Sequence, residues 1–68
     1  MTLTPLEETR LQNYFKECKV PDYKHERIRT IAEMSKDNAS IKEIRRALRT
    51  SFNFVEEYRS KLRRWGVY

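Results

Sequence analysis

The stretch from residue 40 to residue 66, SIKEIRRALRTSFNFVEEYRSKLRRWG, decides the fold of this chain. It holds two apolar patterns of helical spacing, which predict helices over about 41–49 and 54–65. The apolar faces are Ile41, Ile44, Ala47 and Leu48 in the first pattern, and Val55, Tyr58, Leu62 and Trp65 in the second. The segment RTSFN between them is too short for an ordinary antiparallel hairpin, so we expect the two helices to share one interior across this turn.

Local signals mark the ends of both helices. Ser40 followed by Glu43 is a capping box, which satisfies free backbone amides at a helix start. Ser51 or Asn53 can cap the next helix, and Gly66 is expected to end it. The start of this last helix therefore stays open between two residues.

The N-terminal half of the chain predicts two further helices, over about 5–18 and 22–36. Thr4 and Pro5 suit a cap and first turn, and Pro21 disfavours helix in the residue before it. Asp22 is expected to cap the second helix. The expected apolar faces are Leu11, Tyr14, Phe15 and Cys18 in the first helix, and Ile28, Ile31, Ala32 and Met34 in the second, with Tyr23 at its start.

Composition agrees with this pattern. The chain has one glycine and two prolines in 68 residues, while good helix formers are abundant. No repeat, low-complexity tract or interior linker interrupts the four helices. The sequence therefore predicts an all-α fold, a single small four-helix domain over residues 1–68.

The segment 40–66 resembles the helix-turn-helix of bacterial and phage DNA-binding proteins. In that family a short support helix, a turn of three or four residues and a recognition helix pack at a steep angle. The positions that match its apolar core and its common turn serine are Ile44, Leu48, Val55, Leu62 and Ser51. The resemblance implies a C-terminal helix-turn-helix packed on the helix at 22–36, and it implies double-stranded DNA as the partner.

Two positions depart from the family's pattern. Arg45 stands where a small residue usually lets the recognition helix approach, and Arg49 stands where a glycine usually opens the turn. An arginine can direct its head group outwards from a helix flank, and such a turn does not require a positive φ. Together the two arginines predict an altered angle between the helices.

The net charge of +5 lies entirely in the second half of the chain. Residues 1–34 carry six basic and six acidic side chains, whereas residues 35–68 carry nine basic and four acidic ones. A one-sided basic excess suits a polyanion, nucleic acid first and an anionic membrane surface second. The alternative is an ordinary solvated surface.

If duplex DNA is the partner, two groups of side chains are candidates for contact. Phosphate contacts would come from Lys42, Arg46, Arg49, Arg59, Lys61, Arg63 and Arg64. Base contacts would come from Ser51, Asn53, Glu56 and Ser60. Asn53 is the best base reader, since an amide can bind N6 and N7 of adenine together, but a role in the turn or cap suits it at least as well.

Glu56 and Glu57 stand where the fourth helix would enter the major groove. A carboxylate there can accept a hydrogen bond from cytosine N4 but is otherwise repelled by the phosphates. The same pair stabilises the positive end of the helix dipole, as Arg63 and Arg64 stabilise the negative end. Base reading and ordinary helix chemistry explain the charges equally well.

The aromatic residues have both core and contact interpretations. Of Phe52 and Phe54 only one needs to be buried, and the favoured role is a clamp between the support helix and the first helix. An exposed Phe52 could instead contact a thymine methyl or a protein partner. Trp65 is expected in the core because it shares the apolar face of the fourth helix.

Several classes of function are not favoured. One cysteine and one histidine cannot form a disulfide or a Cys/His zinc site within one chain, and the small core leaves little room for an active-site pocket. We therefore expect no enzyme activity and no cofactor, with Cys18 a small buried hydrophobe and His25 at the surface. No apolar run is long enough to span a membrane and no signal peptide is present, so we expect a cytoplasmic protein without membrane contact.

Two functions follow from these patterns. The first is a DNA-binding transcriptional regulator, or a recombination or packaging accessory factor, of a phage or mobile element; it would act as a homodimer or cooperative assembly through the first helix and the tail WGVY. The alternative is a protein-interaction module, an inhibitor or adaptor of a polymerase or replication protein, that uses Glu56 and Glu57. Binding of single strands ranks lower, since Tyr14, Tyr23 and Tyr58 are expected inside.

Overall fold

The structure, a computed structural model, describes residues 2–68. Four helices follow one another, and the all-α prediction is confirmed. They are α1 (Pro5–Glu17), α2 (Asp22–Lys36), α3 (Ile41–Leu48) and α4 (Phe52–Arg64). The bounds agree closely with the predicted ones, except that α4 begins at Phe52 rather than near residue 54 because Ser51 is its cap.

Side-chain caps explain where three of the helices begin. At Ser40 the hydroxyl accepts a hydrogen bond from the Glu43 amide at 3.1 Å, and the Glu43 carboxylate accepts one from the Ser40 amide at 3.2 Å. Thr4 and Glu7 make the same reciprocal pair at the start of α1. The expectation that Asp22 caps α2 is wrong, because Pro21 takes the cap position and Asp22 is already helical.

All four helices end in the same way, with one residue in the left-handed conformation. These residues are Lys19, Asn38, Arg49 and Gly66, with φ values of 50°, 64°, 53° and 71°. The amide that follows each of them donates back to a carbonyl five residues earlier, as in Thr50 to Arg45 at 3.2 Å. This arrangement satisfies carbonyl groups that a helix end leaves free. Only the last of the four has the glycine that the conformation favours.

The core is built where α2, α3 and α4 pack on one another, with α1 adding three side chains. Its buried apolar residues are Leu3, Leu11, Tyr14, Phe15, Ile28, Ile31, Ala32, Ile44, Val55, Tyr58, Leu62 and Val67. Val67 is fully buried, and the Tyr68 hydroxyl donates to the Arg59 carbonyl at 3.0 Å. The last residues of the tail are thus packed within their own chain.

Four residues that the helical spacing placed on apolar faces lie at the surface instead. Cys18 and Trp65 are the residues at which α1 and α4 end, so no further turn carries their faces into the core. Tyr23, in the first turn of α2, is 78% exposed. Ala47 is exposed because α3 fully buries only Ile44, a narrower face than predicted.

His25 differs from its prediction in the opposite direction. It is half-buried rather than at the surface, and its ring stacks on Phe15 with centroids 3.9 Å apart. Its Nε2 lies 2.8 Å from the Val20 carbonyl oxygen, which accepts a hydrogen bond when Nε2 carries the hydrogen. The histidine therefore helps to close the junction between α1 and α2.

Two ion pairs fasten α1 to α2. Arg29 forms a two-pronged pair with Glu8, in which Nη2 donates to Oε2 at 2.7 Å, and Lys36 Nζ lies 2.6 Å from Glu7 Oε1. The hydrogen bonds from Arg29 lower the pKa of Glu8 to about 2.

Among the helices of residues 2–68, none has the length and apolar character needed to cross a membrane.

The Glu8 pair makes stability depend on acid. Because the folded pKa of Glu8 lies below its unfolded value, the pair stabilises the fold above about pH 5, and this contribution is lost as the pH falls towards 2. Glu8→Gln should therefore lose less stability than the wild type between pH 6 and pH 2.5, by about 1 kcal/mol or less because the pair is partly exposed. Urea unfolding followed by circular dichroism at both pH values measures this difference. Glu26→Gln is the control, because Glu26 is an exposed carboxylate of α2 that forms no ion pair within residues 2–68, and it should follow the wild type. Equal losses in all three proteins would contradict the assignment.

Candidate nucleic-acid interface

Three residues, Arg49, Thr50 and Ser51, join α3 to α4. Arg49 has φ 53° and ψ 47°, the left-handed conformation, so this turn has a positive φ although such a turn does not require one. The Ser51 hydroxyl then accepts the Phe54 amide at 3.2 Å and opens α4. Arg49 thus adopts the conformation that a glycine usually has in such a turn. Its side chain makes this conformation sterically less favourable than it would be for glycine.

Buried side chains fix which face of α4 remains in solvent. Val55 and Leu62 are fully buried and Tyr58 nearly so, and together they pack with Ile44 of α3 in one core. The opposite side of α4 is exposed. We call it the outer face; its residues are Asn53, Glu56, Glu57, Ser60 and Arg63.

Three arginines converge at the end of α3. Arg45, Arg46 and Arg49 are exposed and line, with the half-buried Thr50, a groove of about 380 Å³ that we call the arginine groove. Within residues 2–68, no ion pair within 4.0 Å joins any of these arginines to an acidic group. The negative end of the α3 dipole offsets part of their mutual repulsion, but an anion in the groove would offset far more.

Arg45 is the residue that sequence reasoning left undecided. Its side chain is exposed, as expected for an arginine that leaves the helix flank, and it lies in the same groove as two predicted phosphate contacts, Arg46 and Arg49. The spacing of the arginines in IRRALR was the signal for this cluster, because residues 45, 46 and 49 share one side of a helix. Lys42, also exposed, belongs to α3 but does not line the groove.

A second groove, of about 200 Å³, runs between α3 and α4. Its lining residues are Ile41, Glu56, Arg59, Ser60, Arg63 and Tyr68. Arg59 is half-buried here and its Nη1 donates to the Ala39 carbonyl at 3.4 Å, so it is the least available of the predicted phosphate contacts. Lys61 and Arg64 project from another side of α4, towards α1, and do not join this groove.

The predicted base contacts occupy different situations. Asn53, Glu56 and Ser60 are exposed on the outer face, whereas the Ser51 hydroxyl is engaged as the cap of α4. Phe52, beside Asn53, is 47% exposed and so is not the clamp we favoured. Phe54 is the half-buried member of the pair, and its ring centroid lies 4.8 Å from that of Tyr58.

The two glutamates of α4 are not equivalent. Glu57 Oε2 lies 3.7 Å from Lys61 Nζ, one helical turn later, so its charge is partly neutralised. Glu56 has no such pair among residues 2–68 and faces the second groove beside Arg59 and Arg63. Glu56 is therefore the acidic group that a ligand on the outer face would meet.

Comparisons with known proteins add no relative. No protein-family model matches the chain. No curated protein matches it either. No solved structure matches it.

In residues 2–68 no three His, Cys, Asp or Glu side chains are grouped so that they could hold a metal ion.

The turn predicts an unusual stability change. Arg49→Gly should stabilise the fold by about 1 kcal/mol, because glycine adopts the left-handed conformation without the steric cost of a side chain. Arg49→Ala removes the same charge but keeps that cost, so it should leave stability nearly unchanged. Urea unfolding at neutral pH compares the two variants. A glycine variant no more stable than the alanine variant would contradict the strain assigned to this turn.

Proposed function

We propose that this protein binds double-stranded DNA, with the outer face of α4 in the major groove and the arginine groove on the phosphate backbone. One observation carries the proposal: three exposed arginines, which have no acidic partner within residues 2–68, converge at the turn that leads into the exposed helix. A phosphate backbone supplies the negative charge that such a cluster lacks, and it returns free energy through release of counterions. A helix laid in the major groove with cations beside it is the usual geometry of helix-turn-helix proteins.

The exposed residues of the outer face suit different roles in such a complex. Asn53 would reach a base edge near the start of α4. Ser60 lies further along the same face and would reach another base edge. Arg63, Lys42 and the arginine groove would hold phosphates on either side. In this arrangement Glu56 selects for cytosine or weakens general binding, since a carboxylate accepts a hydrogen bond only from a base amino group there.

The cellular role is proposed at a coarser level. We propose a transcriptional regulator or a recombination or packaging accessory factor of a phage or mobile element, which is the role that the resemblance to helix-turn-helix proteins implies. We propose that it acts in the cytoplasm, without enzyme activity, as a homodimer or cooperative assembly, because a single helix-turn-helix unit makes few contacts. Leu6 of α1 is 59% exposed and is a candidate contact between copies.

The alternative function is a protein-interaction module that docks through Glu56 and Glu57. The observation in its favour is that Phe52, nearly half exposed, lies at the same end of α4 as these carboxylates. Exposed aromatic residues are enriched at contact surfaces between proteins. The partner would be a basic surface of a polymerase or replication protein.

The DNA proposal predicts a salt dependence that changes with the arginines. For a random duplex of about 25 base pairs, log K should fall steeply with log salt, and Arg45→Ala with Arg46→Ala should reduce the slope by roughly two. Fluorescence anisotropy across a salt series measures both slopes. Lys16→Ala with Arg27→Ala removes the same charge from exposed positions on α1 and α2, and should change the slope much less. Failure to bind duplex even at low salt would rule out the proposal.

The glutamates separate the two candidate functions. Glu56→Gln with Glu57→Gln removes two negative charges from the outer face, so binding to random duplex should strengthen several-fold. The same anisotropy assay measures the change, with Glu26→Gln as a control outside the interface. Weaker or unchanged DNA binding in the double variant would instead favour a role for these carboxylates in holding a protein.

A further inference from the structure

The ends of α1 and α4 meet at a cleft that the duplex proposal does not use. Its volume is about 210 Å³, and we call it the aromatic cleft. Its lining residues are Tyr14, Cys18, Lys61, Arg64 and Trp65. More of its surface is apolar than polar, unlike the arginine groove, so its ligand should have an apolar face as well as a charge.

Trp65 is both exposed and held in place. It is the only tryptophan of the chain, and 37% of it remains exposed. Its ring packs against Tyr14 with centroids 5.7 Å apart and planes inclined by 57°. Because Tyr14 is buried, this contact anchors the indole from the core side and leaves the rest of it open to solvent. A fixed, partly exposed indole can stack on a nucleobase at little entropic cost.

Two cations border this indole. Lys61 Nζ lies 5.2 Å from the centroid of the Tyr58 ring and 3.7 Å from Glu57, an exposed pair that a phosphate can replace. Arg64 is exposed and, within residues 2–68, has no acidic partner within 4.0 Å. Aromatic side chains interleaved with cations are the usual platform for single-stranded nucleic acid.

Tyr14 forms the buried side of the cleft. Burial raises the pKa of its phenol to about 12, with smaller contributions from Tyr58, Cys18 and Glu57. Tyr23, which we expected inside, is exposed, so the sequence argument against single-strand binding loses one of its three tyrosines.

We propose that the aromatic cleft binds an unpaired nucleotide, whose base stacks on Trp65 while Lys61 and Arg64 hold its phosphate. This inference goes beyond duplex binding and does not rest on it, because the arginine groove is lined by residues of α3 and the turn. A protein with both sites would bind where a duplex opens into a single strand. The nucleotide could be part of a strand or free in solution, and the experiment below distinguishes these sources.

The first measurement follows the fluorescence of Trp65, which reports on the cleft without any substitution. A ten-residue oligothymidylate should quench it in a saturable way, since a stacked base contacts the indole directly. An abasic strand of the same length and charge should bind roughly tenfold more weakly and leave the fluorescence nearly unchanged. Quenching by thymidine monophosphate as well would assign the cleft to nucleotides in general, and quenching by the strand alone would assign it to single strands. Either result supports the inference, whereas no quenching by any of them overturns it.

The second measurement uses variants at the two ends of α4. Trp65→Leu keeps an apolar contact with Tyr14 but removes the aromatic face, so oligothymidylate affinity measured by anisotropy should fall roughly tenfold. Phe52→Leu is the matched control, an exposed aromatic residue that does not line the cleft, and should leave this affinity unchanged. Circular dichroism checks that both variants fold. Equal losses in the two folded variants, or none in Trp65→Leu, would contradict the assignment.

Cys18 offers a third measurement on the unaltered protein. It is the only cysteine, it is exposed, and it lines the cleft. Saturating oligothymidylate should slow its reaction with a disulfide reagent several-fold, and an unchanged rate at saturation would overturn the inference. Titration with duplex DNA on the same samples keeps the two proposals separate. If oligothymidylate quenches the fluorescence and protects Cys18 but the protein does not bind duplex, the arginine groove proposal is contradicted. If the protein binds duplex but shows neither quenching nor protection, the aromatic cleft proposal is contradicted.

Discussion

The left-handed conformation of Arg49 is the constraint on which the position of α4 depends. It turns the chain within three residues, while the Thr50 amide closes α3 and the Ser51 hydroxyl opens α4. Ile44 and Val55 are then buried in one core on either side of the turn. Because one side of α4 is buried, its other sides, with the charged residues that they carry, face solvent. All the proposed contacts to DNA depend on this position of α4.

The exposed sides of α4 differ in chemistry. The side near the turn meets guanidinium groups that have no acidic partner in the described part of the chain. The outer face carries mixed polar groups, and the side towards α1 combines an indole with two cations. A uniform basic surface would attract any polyanion with similar strength. If both proposals hold, the separation seen here would let paired and unpaired strands be recognised by different residues around α4. Arg59, held by Ala39 and close to Tyr68, shows that part of the positive charge serves the fold instead.

Sequence reasoning was strongest where structure is local. The cap at Thr4, the capping box at Ser40 and the stop at Gly66 involve residues a few positions apart, and their predictions are confirmed. It failed at Cys18 and Trp65, because helical spacing assigns a residue to a face but does not tell whether another helix covers that end. The arginine groove could have been predicted from the spacing of Arg45, Arg46 and Arg49 along and just after α3. The aromatic cleft could not, since it depends on how the end of α1 meets α4.

The repeated ending of the helices also bears on how quickly the protein folds. Each stop is closed by a hydrogen bond between residues five positions apart, and two starts are closed by reciprocal bonds between residues three apart. Bonds of this kind form without bringing distant parts of the chain together, so little loop entropy is lost before the core assembles. Small helical domains rich in local contacts fold on the order of microseconds to milliseconds. A molecule that opens should therefore close again before proteases or other unfolded chains can reach its core.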